Sequence, residues 1–180
     1  MKAVDLLRAG DDVEAALLAE VSTLAHPPRV VGVYARSSLP RGVLPVTLAL
    51  WRVADPGNVG TLLRSAAAFG AGIALSSGCA DVTGPKALRA SMGAVFTVPT
   101  SGFEEPAGTR VALVPRGGTP LPELEVDGDV VFVLGAEREG LPPEVLDSCD
   151  VQASIPQAGP AESLNVAMAG TVALYEWSRR

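Results

Sequence analysis

Ile155-Pro-Gln-Ala-Gly-Pro-Ala-Glu-Ser-Leu-Asn-Val-Ala-Met-Ala-Gly-Thr-Val-Ala-Leu-Tyr-Glu176 is a loop punctuated by Gly and Pro that runs straight into an apolar helix. Ser163 and Asn165 sit at the junction. A helix start leaves backbone N–H groups unpaired and carries partial positive charge, so it suits an anionic or electron-rich ligand. Ser and Asn also favour helix caps, so this segment alone reads equally well as a capped terminal helix. The rest of the chain has to decide between the two.

Working outward, apolar runs alternate with helical patterns. Val46–Val53, Ile73–Ser76, Val95–Val98, Arg110–Val114, Val130–Leu134 and Val151–Ile155 read as strands. Between them, residues 58–69, 85–91 and 142–148 read as helices, and a last helix covers 163–178. The strands are continuous apolar runs rather than alternating ones, as expected when both faces are covered. The order predicts an α/β fold, a parallel sheet with helices on both faces. The first 45 residues differ, with an amphipathic helix over Asp12–Leu24, a strand over Val30–Tyr34 and a Pro/Gly linker over Pro40–Pro45. They are expected to form a short appendage to a main domain at 46–180, the remnant of something larger or a segment packed on the main sheet.

Composition narrows the classes. The chain has 180 residues, 48% of them hydrophobic and 4% aromatic, so Ala, Val and Leu must build the core. Two cysteines and one histidine, His26, are too few for a disulfide framework or a zinc cluster, so no metal is expected. No apolar run reaches membrane-spanning length, and a cytoplasmic protein with no membrane partner is expected. The net charge of −6 argues against binding nucleic acid through bulk positive charge. Its distribution is uneven: residues 29–116 hold nine Lys/Arg against four acids (+5), and residues 117–180 hold three against eleven (−8). A basic middle suits phosphates, and it equally suits an uneven solvated surface.

In parallel sheets, ligands bind at the loops leaving the carboxyl ends of the strands. Three such loops are rich in Gly and polar residues: Asp55–Gly60, Gly135–Leu141 and Pro156–Asn165. No Gly-x-Gly-x-x-Gly follows the first strand, and there is no Gly-Lys-Ser/Thr loop. Asp55-Pro-Gly-Asn-Val-Gly60 with Arg64 and Ser65 downstream, Leu134-Gly-Ala-Glu-Arg-Glu-Gly-Leu141, and Ile155-Pro followed by Glu162-Ser-Leu-Asn-Val166 occur in this order. Together they closely resemble the three motifs of the SpoU-type (TrmH-like) 2′-O-ribose RNA methyltransferases of the SPOUT superfamily. Pro85-Lys-Ala-Leu-Arg-Ala-Ser-Met-Gly-Ala94 looks like the family's connecting element. The match covers about residues 46–178, and one family-typical position differs: Ala136 stands where Asn is common.

The resemblance implies a deep C-terminal trefoil knot, an exception to the rule that chains do not thread. It implies S-adenosyl-L-methionine as cofactor, with contacts at Gly135, Ile155 and Leu164 and a second candidate loop after Val114 at Pro115. It also implies a homodimer through helix 163–178, and RNA (tRNA or rRNA) as substrate. The motif-one Arg64 is expected to position, or take the proton from, a ribose 2′-hydroxyl. Asn58, Ser163 and Asn165 are expected to hold ribose, Arg64 and the cofactor's methionine part. Glu137 is expected to fix the loops or to pair with Arg64, and Lys86 and Arg89 to touch RNA phosphates. A second reading is a cofactor-binding dimer that acts as a scaffold or regulator without methylating RNA.

Overall fold

The computed structural model describes residues 4–22, 26, 28–160 and 162–180. The chain divides between Leu39 and Pro40 into two compact units. In the first, β1 (Asp5–Arg8) and β2 (Val30–Val33) form an antiparallel pair with Asp5 opposite Val33, and α1 (Ala15–Val21) lies between them in sequence. β1 was not anticipated, because four residues of mixed polarity carry little periodic signal. The expected helix over residues 12–24 is shorter at both ends, and Leu24 falls outside the described residues. Residues 40–45, expected as a linker, belong to the second unit, where Arg41 bridges to Thr100.

The second unit holds β3 (Val46–Leu50), α2 (Pro56–Phe69), β4 (Gly72–Leu75), α3 (Pro85–Ser91), β5 (Thr100–Gly102), β6 (Thr109–Leu113), β7 (Thr119–Pro120), β8 (Val130–Leu134), α4 (Pro143–Leu146), β9 (Val151–Ser154) and α5 (Val166–Trp177). Seven strands form one sheet in the order β5-β4-β3-β8-β6-β9-β7, and every pairing is parallel. The expected parallel α/β sheet is present. β3 and β8, its central strands, run in register from Val46 opposite Val130 to Leu50 opposite Leu134.

Several boundaries differ from the sequence expectation, each for a local reason. The strand expected to reach Val53 ends at Leu50, because Arg52 takes a left-handed φ of 52° that no strand accommodates. α2 starts at Pro56, since Asp55 caps it and a proline at the first position costs no hydrogen bond. The strand expected over Val95–Val98 is instead a 3-10 turn at Ala94–Phe96, and the strand follows at Thr100–Gly102. A short apolar run does not distinguish the two. The terminal helix begins at Val166 rather than at residue 163, because Asn165 is its cap.

Alternation along the strands divides the core into two layers. On one face, α2 and α5 cover Leu48, Leu134 and Phe132; Phe132 meets Trp177 edge-on at 5.9 Å. A Cβ at Gly170 would fall 2.5 Å from Leu62 Cδ2 and 3.2 Å from Leu134 Cδ2, so glycine there lets α5 sit down on the sheet. On the other face, Ala49, Ala74, Val131 and Val133 pack with Phe103 and with Val145 of α4, and Trp51 lies against this layer. Each fully buried Val, Leu or Phe contributes about 1.5–3 kcal/mol, so these layers carry the stability of the unit. Their order brings the ends of β3, β8, β6 and β9 side by side at one edge.

Candidate functional site

Three loops leave the carboxyl ends of β3, β8 and β9, and specific hydrogen bonds tie them together. At the end of β3, the Asp55 carboxylate accepts from the N–H groups of Gly57 (2.6 Å) and Asn58 (3.1 Å), which caps α2 and fixes Asn58 in its first turn. Beyond β8, the chain folds back on itself. The N–H of Gly140 donates to the Ala136 carbonyl at 2.9 Å. A Cβ on Gly135 would come within 2.3 Å of the Gly140 carbonyl carbon and 2.5 Å of the Leu141 nitrogen, so only glycine permits this return. The atypical Ala136 therefore leaves the loop held by backbone.

Glu137, carried on this turn, accepts from Asn58 Nδ2 at 2.9 Å and from the Asp55 N–H at 3.3 Å. From the third loop, Asn165 Nδ2 donates to Asn58 Oδ1 at 3.1 Å. The Asn165 Oδ1 in turn accepts from the N–H groups of Ala167 (2.9 Å) and Met168 (3.3 Å), capping α5. The direction of this relay is forced. Helix N–H groups only donate and an ionised carboxylate only accepts, so each amide between them has one permitted orientation.

Partial burial alone would push the Glu137 carboxyl upward. The hydrogen bonds from Asn58 and from the backbone N–H groups of Glu137, Asp55 and Ala54 outweigh it and hold the group below its usual range. Asp55 is also lowered, first by the hydrogen bond from Lys86, whose Nζ lies 3.0 Å from Oδ2. Burial opposes that shift, and the N–H groups of Asn58 and Gly57 add to it.

Glu137 and Asn165, the two ends of the relay, line a cavity of about 550 Å³. Gly135, Leu141 and Leu146 contribute from the β8 side, Leu113, Val114 and Pro115 from the end of β6, and Ile155, Gln157, Ser163 and Leu164 from the third loop. The five residues expected as cofactor contacts, Gly135, Ile155, Leu164, Val114 and Pro115, all face this one space. Its walls are mainly aliphatic, and backbone from three loops reaches it, as in a pocket for a small organic molecule. Among the described residues, no three His, Cys, Asp or Glu side chains cluster as metal ligands would.

The other expected residues fall in different places. Ser163 lines the cavity and precedes the cap, so of the two junction residues only Asn165 caps α5. Arg64, on α2, is exposed, does not line the cavity, and its side chain makes no hydrogen bond or ion pair with the described residues. Glu137 thus ties loops together and does not pair with Arg64. Lys86 is engaged with Asp55, and Arg89 lies in the same short helix α3. Sequence reasoning passed over Gln157 and Asp55. Gln157 stood in the quoted loop as a polar residue between proline and alanine, and Asp55 had the cap position before a proline.

A family model described as the SpoU rRNA Methylase family matches residues 45–175. An uncharacterized tRNA/rRNA methyltransferase of Synechocystis sp. is 36% identical over 182 residues, covering 93% of this chain and 66% of that protein. A 23S rRNA (uridine(2479)-2′-O)-methyltransferase of Streptomyces viridochromogenes is 35% identical over 145 residues, covering 72% of this chain and 50% of that protein. The chain thus spans about half to two thirds of the length of these relatives. Among solved structures, the SpoU methyltransferase AviRb from Streptomyces viridochromogenes, in complex with the cofactor AdoMet, superposes with a TM-score of 0.74. It is 32% identical, and the match covers 92% of this chain and 71% of that one. With three motif loops joined at the carboxyl edge of a parallel sheet of the SPOUT type, and with a family match across 45–175, the chain belongs to the SpoU rRNA methylase family.

Proposed function

We propose that this chain transfers a methyl group from S-adenosyl-L-methionine to the 2′-hydroxyl of a ribose in tRNA or rRNA. The observation that carries this reading is the relay Asn165–Asn58–Glu137, which locks the three motif loops around one cavity. The cavity's size and aliphatic walls suit the cofactor, and the relative that is named for 2′-O-methylation of 23S rRNA supports the ribose target.

The bound cofactor supplies a methyl group already activated by a sulfonium. The chain must then align a poor nucleophile with that carbon and help its proton leave. Gly135, Ile155, Leu164, Val114 and Pro115 would hold the cofactor, and the Ser163 hydroxyl, on the same cavity, would be available to its polar groups. Glu137 is a poor base for a hydroxyl proton, because its hydrogen bonds favour the ionised form. Its work is to fix Asn58 and the first loop. The Arg64 guanidinium offers only hydrogen-bond donors. Being exposed and uncommitted, it is suited to orient the ribose through an adjacent phosphate. Lys86 and Arg89 extend this basic track along α3, and an exposed ion pair such as Lys86–Asp55, worth about 0.2–1 kcal/mol, is readily exchanged for a phosphate contact.

The deep knot and the homodimer belong to the same proposal. β9 lies beyond β6 in the sheet, yet the chain returns after it to pack α5 against α2 and β8. The outer face of α5 leaves Met168, Val172 and Tyr175 exposed at 62%, 37% and 51%, a surface suited to a second copy.

The test is to incubate the full chain with methyl-labelled S-adenosyl-L-methionine and total RNA. Label recovered in alkali-resistant dinucleotides is the expected result. Cofactor binding without label in RNA favours the scaffold reading instead, and label on a base refutes the ribose target.

A further inference from the structure

Gln157 has a feature that the relay and the motif residues do not explain. Its side-chain Oε1 is shielded from solvent and has no hydrogen-bond partner among the described residues, while the residue lines the cavity. A sheltered acceptor left unpaired is costly, and native folds rarely keep one without a use. The side chain is not held elsewhere, and the last torsion of an amide is soft, so a small rotation turns the oxygen toward a ligand.

The position of Gln157 indicates which part of a ligand it meets. The cavity's ends of β6 and β9 contribute Leu113, Val114, Pro115, Ile155 and Gln157, and four of these five are aliphatic. The two ends adjoin directly, with the Val114 N–H donating to the Ala153 carbonyl at 2.9 Å. Charged and hydroxylated parts of a ligand belong with Glu137, Ser163 and Asn165. A flat base belongs between the aliphatic residues, and once desolvated its exocyclic amine needs an acceptor.

We infer that Gln157 is a specificity-determining residue that accepts a hydrogen bond from the 6-amino group of the cofactor's adenine and so selects adenine over a purine with no group at C6. This rests on the cofactor reading given above. A purine with only hydrogen at C6 gives the amide nothing to pair with in either orientation, and a site built to accept a hydrogen bond rejects a ligand that lacks the donor.

The test compares S-adenosylhomocysteine with its 6-deamino analogue, in which hydrogen replaces the 6-amino group, by titration calorimetry on the full chain. The wild type should prefer the adenosyl compound by about tenfold or more. Gln157→Met, of similar volume but without the amide, should weaken adenosyl binding about tenfold and change binding of the 6-deamino analogue less than about twofold, erasing the preference. Gln157→Glu, which keeps an acceptor, should retain the preference. An undiminished preference in Gln157→Met, or an equal loss for both analogues, overturns the inference and leaves the cofactor reading standing. A wild type that binds neither analogue overturns both.

Discussion

Asn165 and Asn58 are 107 residues apart in the chain, and the amide of the first donates to the amide oxygen of the second at 3.1 Å. The same Asn165 caps α5, and the same Asn58 donates onward to Glu137 at 2.9 Å. One side chain therefore couples the start of a helix to the geometry of a cavity, and the two roles separate by substitution.

Asn165→Asp keeps the oxygen that caps α5 but sets its second oxygen against Asn58 Oδ1. Its melting temperature should stay within about 2 °C of wild type, while methyl transfer falls on the order of tenfold or more. Asn165→Ala loses both roles and should also lose about 0.5–2 kcal/mol of stability. Denaturant unfolding of the two variants beside turnover checks this. Equal stability losses would sink the division of roles.

Asn58→Asp places a carboxylate against that of Glu137 and should reduce transfer about 10- to 100-fold. In the double variant Asn58→Asp/Glu137→Gln the donor and acceptor are exchanged, so the bond can form again in reverse. Turnover of the double variant should exceed that of either single variant. Additive losses in this cycle would mean that the two residues act independently.

Gly135→Ala forces a methyl group into the backbone of Gly140, and the loop beyond β8 must shift. The expected cost is about 1–3 kcal/mol in stability, together with loss of cofactor binding. Calorimetry with S-adenosylhomocysteine provides the check, and unchanged affinity would show that this loop does not shape the cavity.

Glu137 gives the site a pH dependence of known sign. Its folded-state value lies below its ordinary one, so its contribution is present above that ordinary value and is lost as pH falls through the lower folded value. The urea midpoint of the wild type should decline across that acid window, and that of Glu137→Gln should decline less. Identical profiles would remove Glu137 from the acid response.

Arg64 is exposed, and its side chain makes no hydrogen bond or ion pair with the described residues. Arg64→Ala should change stability by less than about 0.5 kcal/mol and leave cofactor affinity near normal, while abolishing methyl transfer. Preserved turnover would end its proposed role.

Much of this was legible in the sequence. The runs at 130–134 and 46–50 declared buried parallel strands, because strands covered on both faces need not alternate. The three polar loops marked the carboxyl edge, and the five expected cofactor contacts face one cavity. What stayed hidden depended on pairing across distance. Nothing in 94–102 says which part is a strand, since that is decided by which residues meet β4. Nothing in the chain order shows that Glu137 binds Asn58 and leaves Arg64 exposed, or that Gln157 keeps an unpaired oxygen. By itself the sequence determined the layers, the loops and the family, because these follow from local periodicity and motif chemistry. Only the tertiary structure decided the relay and its direction, because hydrogen bonds between residues tens of positions apart exist only once the sheet has set β3, β8 and β9 in order.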